Sequence, residues 1–154
     1  MTTVFMSVNE SAPDFELAST GGTIRLSDAR GLHPVVLYVM RAFSCPICQG
    51  HVRALNKLTP TLPDTQVLIL GGGSLLQAQH LASRLHLTVP VLADPTGEVL
   101  ERYTFAKLLD VWQRSGTVVI DRQGQTRMLQ ASFNPANGFA ARDVVECVRT
   151  LDSA

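Results

Sequence analysis

Cys45 and Cys48 are separated by Pro46 and Ile47, the C-x-x-C spacing, in the run Arg41-Ala42-Phe43-Ser44-Cys45-Pro46-Ile47-Cys48. Two thiols at that spacing can pack as small hydrophobes, supply half of a metal site, or exchange electrons. Their surroundings favour the third. Val35 to Met40 reads as an apolar, partly β-branched strand buried on both faces. A helical pattern follows the short turn Arg41–Ser44, with Ile47, Leu55 and Leu58 on one face beside Val52 and Ala54. Pro46 suits a first helical turn, so Cys45 falls at the helix start and Cys48 one turn further in.

That placement decides the chemistry. A thiolate is the nucleophile, and the first turn of a helix offers unpaired N–H groups and the positive end of its dipole to an anion. Arg41, four residues before Cys45, brings a cation to the same turn. Cys45 is therefore the expected nucleophile, at the mouth of the fold, and Cys48 the thiol that closes a ring with it. A zinc site needs a second ligand pair, and Cys147, His33, His51, His80 and His86 are scattered. Haem attachment needs a histidine where Gln49 stands. No metal and no cofactor is expected.

The elements that must position this pair follow from the rest of the chain. With 154 residues, 45% apolar and 17% charged, the chain reads as one domain over 1–154 with a core large enough to need no staples. Its formal net charge of zero and lack of a basic stripe exclude nucleic acid and anionic membranes as expected partners. No secretory signal or membrane span is apparent, and three cysteines with two in a redox spacing suit a reducing compartment. The expected location is cytoplasmic.

Phe15–Leu17 and Thr23–Leu26 flank Ser19-Thr20-Gly21-Gly22 and predict a small hairpin. Val67–Leu70 predicts a second buried strand. Gly71-Gly72-Gly73-Ser74 then opens a helix carrying Leu75, Ala78, Ala82 and Leu85 on one face. The glycines lack the Walker lysine and the dinucleotide spacing, so they read as a turn with Ser74 as N-cap. A strand at Thr117–Ile120, a turn at Asp121–Gly124 and a returning strand lead to a last helix near Gly138–Leu151, with Val144, Cys147, Val148 and Leu151 on one face. Strands alternating with helices, then a hairpin and a closing helix, predict an α/β sandwich around a mixed sheet.

Several segments, in order, resemble the alkyl hydroperoxide reductase / thiol-specific antioxidant family, the peroxiredoxin-like branch of the thioredoxin superfamily. Ser11-Ala12-Pro13-Asp14-Phe15-Glu16-Leu17 is similar to its N-terminal APDFxL segment. The run Val36–Leu55 is similar to the R-x-x-x-C-P-x-C stretch of its C-x-x-C members. Val91–Gly97 and Val118–Gly124 resemble later landmarks.

The resemblance implies a thioredoxin-like fold: a central mixed β-sheet flanked by helices, with an N-terminal β-hairpin. It also implies thiol-dependent reduction of hydrogen peroxide or a small organic hydroperoxide at Cys45. Thioredoxin, glutaredoxin or a small thiol is the implied reductant, and a homodimer is among the expectations. The family's upstream threonine is Ala42 here. Its later arginine corresponds to Arg114, one residue further from Asp121 than usual. A second register makes Cys48 the peroxidatic residue, with Cys45 in the threonine position. Two other functions share the motif: thiol–disulfide exchange on protein partners, or a non-catalytic redox-sensing module. His51, one turn beyond Cys48, reads as a packed or half-exposed structural histidine ahead of a proton partner for Cys48, Cys147 as a core cysteine ahead of a distant resolving thiol, and Phe43 and Trp112 as candidate walls of the site.

Overall fold

A computed structural model describes residues 8–62, 64–103, 107–108, 112–113, 115–132, 136 and 139–152. The hairpin β1 (Glu16–Leu17) and β2 (Ile24–Arg25) comes first. The central strands are β3 (Val35–Val39), β4 (Gln66–Gly71) and β5 (Val91–Ala93). The helices α1 (Pro46–Leu58) and α2 (Leu75–Leu85) connect them, and α3 (Glu98–Arg102) follows β5. A short pair, β6 (Lys107–Leu108) and β7 (Trp112–Gln113), precedes β8 (Ser115–Ile120) and β9 (Thr126–Ser132). The last described element is α4 (Ala141–Asp152).

The five-stranded sheet has the order β5-β4-β3-β8-β9. Strand β3 lies parallel to β4 and antiparallel to β8, so it is the central strand and pairs on both edges. Every residue from Val35 to Met40 is buried. That is why the sequence shows a continuous apolar run there rather than alternation. Val36, Tyr38 and Met40 face the layer of α1, α2 and α4, while Val35, Leu37 and Val39 face α3 and the hairpin. Burying a Val or Leu side chain contributes about 1.5–3 kcal/mol, so a one-residue slip of β3 would exchange two complete packing sets. The end of β3, and the turn after it, are thereby fixed.

Helix α1 begins as expected but is rotated from its expected face. Its buried stripe is Cys48, Val52 and Leu55, whereas Ile47 is 47% exposed and Ala54 is also exposed. The inward turn of Cys48 toward the end of β3 takes the position that periodicity assigned to Ile47. Helix α2 carries Ala78, Leu81 and Leu85 on its buried side. Ser74 is its N-cap: its Oγ accepts the Gln77 N–H at 3.1 Å, and the Ser74 N–H donates to Gln77 Oε1 at 2.9 Å. This capping box satisfies backbone donors at both positions. Among the described residues, no helix is long and apolar enough to cross a membrane.

Ser74→Ala should lower stability by about 1 kcal/mol, while Ser74→Asp should be close to neutral. Urea unfolding of the two variants beside wild type checks this.

Candidate functional site

Cys45 is the N-cap of α1, with extended backbone (φ −70°, ψ 115°). Its Sγ accepts the N–H of Cys48 at 3.4 Å, in the place where a serine or aspartate oxygen usually caps. Its own N–H donates to the Ala42 carbonyl at 3.1 Å, closing the turn. The N–H of Arg41 donates to Cys48 Sγ at 3.4 Å. Main-chain donors thus seat both sulfurs. Gln49 adds a brace by donating from Nε2 to the Phe43 carbonyl at 2.8 Å.

The two thiols have unlike environments. Cys45 is partly exposed and Cys48 is fully buried; both are free thiols, as is Cys147. Burial pushes the Cys48 thiol above its ordinary range, and the neighbouring Cys45 sulfur adds to the rise. The Arg41 N–H and the Tyr38 hydroxyl act in the opposite direction. Cys48 therefore stays protonated at neutral pH, and the solvent-facing sulfur is that of Cys45.

Of the other expected site residues, Arg41 reaches the pair through its main chain, and its side chain is partly exposed. Arg114 lies outside the described residues, and so does the side chain of Trp112. Phe43, in the turn before Cys45, packs away from the strand end onto its neighbour β4. Its ring rests on Gly71, where a Cβ would collide with it, and lies close over Gly73, where a Cβ would first meet Gln77 Oε1. Gly71, which ends β4, and Gly73 just after it are thus a seat for the aromatic of the cysteine turn, which reading them as a turn alone did not reveal. Ala42, Phe43 and Ser44 form one wall of an open groove whose other wall is the Leu76–His80–Arg84 side of α2.

Cys147 is half-buried on α4 beside the buried Val144 and Val148, and burial pushes its thiol up. His51 is half-exposed and packed against aromatic rings, as expected, but one of its neighbours is polar. It follows Cys48 by one helical turn, and its Nδ1 lies 3.1 Å from the hydroxyl of Tyr38. Tyr38 is the residue that sequence reasoning missed. Inside an apolar strand it reads as one more core aromatic, and only its position under α1 gives its hydroxyl a meaning. The landmark Asp14 proves to be structural, since its Oδ1 accepts the N–H groups of Phe15 and Ser27 at 2.9 Å each.

The profile of the AhpC/TSA family matches residues 8–128. Among solved structures, a peroxiredoxin-like protein from Aquifex aeolicus superposes with a TM-score of 0.84 at 15% identity, covering 96% of this chain and 89% of that one. Peroxidoxin BcpB from Mycobacterium tuberculosis superposes with a TM-score of 0.78 at 21% identity, covering 96% and 97%. A putative thiol:disulfide interchange protein DsbE from Chlorobium tepidum gives a TM-score of 0.75 at 22% identity, covering 93% and 99%. These likenesses establish the thioredoxin-like fold expected from the sequence. No curated protein matches the chain.

Gly71→Ala should cost about 1–3 kcal/mol by overpacking, and much less in a Phe43→Ala background, where the colliding ring is gone. A double-mutant cycle from urea unfolding measures that coupling. Cys48 supplies a pH prediction. Its folded thiol ionises at higher pH than its unfolded one, so its contribution is intact below about pH 8.5. Stability then falls as pH climbs toward the folded value. Cys48→Ser should flatten that decline in urea midpoints measured against pH, and an unchanged slope would contradict the burial argument.

Proposed function

The chain belongs to the AhpC/TSA family, and on that footing we propose that Cys45 reduces hydrogen peroxide or a small organic hydroperoxide and that Cys48 resolves it. The coarser statement, an oxidoreductase of the thiol-peroxidase type, follows from the family itself. One observation carries the finer reading. The partly exposed sulfur of Cys45 caps the helix on the N–H of Cys48, whose own sulfur is buried one turn away.

In the proposed sequence the Cys45 thiolate attacks one peroxide oxygen. The O–O bond breaks, and the other oxygen leaves as water or alcohol after taking a proton. Cys45 is left as a sulfenic acid. The Cys48 sulfur then attacks that sulfur, water departs, and an intramolecular disulfide forms. Thioredoxin, glutaredoxin or a small thiol restores the dithiol. Arg41, at the head of the same turn, is the cation we assign to the leaving oxygen. The reverse order, with Cys48 attacking first, would require the peroxide to reach a fully buried thiol. The cytoplasm, which keeps thiols reduced, is the compartment that suits this cycle.

The same asymmetry favours a second reading, thiol–disulfide exchange on a protein partner. There too an exposed sulfur attacks and a buried, protonated one releases the mixed disulfide. Exposed Ile47 and Leu76 near the turn offer apolar contact to such a partner.

Cys45→Ser should lower peroxide consumption with a thiol donor by about a hundredfold or more. Cys48→Ser should still form the sulfenic acid, which a carbon-acid trap would capture at residue 45. Full turnover in Cys45→Ser would sink the assignment, and insulin reduction that outpaces peroxide consumption would favour the second reading.

A further inference from the structure

The layer between the sheet and helices α1 and α4 is filled mostly by Val36, Val52, Val119, Val144 and Val148. Across its middle runs a polar strip that packing does not call for. Thr117 on β8 stands opposite Tyr38 on one side and Gln130 on the other, and all three share one face of the sheet. Ser115, on the same strand, lies two residues from Thr117 and so points to the same side. The Ser115 hydroxyl and the Gln130 amide oxygen are buried and have no hydrogen-bond partner among the described residues. Natural cores rarely leave such atoms unpaired without a reason beyond stability.

Tyr38 is fully buried, and its hydroxyl meets His51 Nδ1 at 3.1 Å. The two rings cross at 89°, and Phe139 closes the third side, with centroids 5.9 Å from Tyr38 and 5.5 Å from His51. Cys48 and His51 are three residues apart on α1 and so share the helix face that looks at β3. The Tyr38 hydroxyl meets His51 Nδ1, and the Cys48 side chain is buried in the same layer, one helical turn before His51. A buried thiol, a buried hydroxyl and a half-exposed imidazole therefore share one layer beside the site.

We propose that Tyr38 and His51 form a proton relay that deprotonates Cys48 when it attacks the sulfur of Cys45. In that step the Cys48 S–H proton passes to Tyr38 Oη while the Tyr38 O–H proton passes to His51 Nδ1. The Cys48 electron pair forms the S–S bond, and the group on Cys45 leaves with its own pair. The imidazolium then loses a proton from Nε2 to water. Burial lowers the His51 pKa, so the imidazole is neutral and able to accept near neutral pH. Among the described residues, the groups that meet it are the Tyr38 hydroxyl of β3 and the Phe139 ring, with Cys48 one turn before it on α1. Helix α4 turns Val144 and Val148 inward and leaves Arg142, Asp143 and Glu146 exposed. The relay rests on Cys45 reacting first and Cys48 second, whichever substrate oxidises Cys45.

The test replaces peroxide with dithiobis(nitrobenzoate), so that loss of peroxidase activity and loss of the relay are separate results. In a Cys147→Ser background the reduced protein releases one thionitrobenzoate when Cys45 attacks and a second when Cys48 displaces it. Tyr38→Phe and His51→Gln should slow the second release by about tenfold or more and leave the first within about twofold. In the unsubstituted relay the second rate should level off near neutral pH, once His51 is neutral. In His51→Gln it should keep rising into the alkaline range, because Cys48 must then ionise unaided. Unchanged second phases in both variants overturn the proposal. So does a second rate that rises without a plateau when Tyr38 and His51 are both intact, a measurement that does not depend on how the variants fold.

Discussion

Two main-chain hydrogen bonds hold this molecule's chemistry in place: Arg41 N–H to Cys48 Sγ and Cys48 N–H to Cys45 Sγ. Both depend on strand β3 ending at a fixed level relative to helix α1. Strand β3 is held by ladders on both edges and packed on both faces, so its end cannot drift without disturbing the whole sheet. The turn between them is pinned by Phe43 on the glycine seat at the end of β4 and by Gln49 reaching back to its carbonyl. A site in a short turn is precise here because its supports are strands and helices, not other loops.

The helix start does two different things to the two sulfurs. It leaves Cys45 facing solvent with an N–H donor, and it carries Cys48 into the layer beneath α1. In that layer burial disfavours charge, so in the proposed cycle a proton must leave Cys48 before it attacks. Tyr38, with His51 against its hydroxyl, is the polar group we assign to this need. Division of labour between the cysteines is thus a matter of depth: one is set for access and the other for protection.

Much of this was legible in the chain. The run Val35–Met40 is apolar without alternation because both its faces are covered, and Pro46 after Cys45 marks where α1 begins. Ser74 followed by Gln77 announces the cap of α2. Periodicity erred on the first turn of α1, where Ile47 faces outward and Cys48 inward. At a helix start the cap geometry sets the rotation, and a hydrophobic pattern has too few residues to fix it. The glycines at the end of β4 carried no sign of their partner, because Phe43 is nearly thirty residues away in the chain and meets them only when β3 and β4 pair.

By itself the sequence determined where the candidate thiols lie and on which kind of element they sit. The C-x-x-C spacing, the buried strand before it and the amphipathic helix after it are local patterns, readable within one or two turns of chain. Only the tertiary structure decided how deep each sulfur lies and what surrounds it. Depth depends on packing β3, α1, β8 and α4 together, and the meeting of Tyr38, His51 and Phe139 joins residues from three separate parts of the chain. Proton affinity follows desolvation and hydrogen bonding, and neither exists until those layers close.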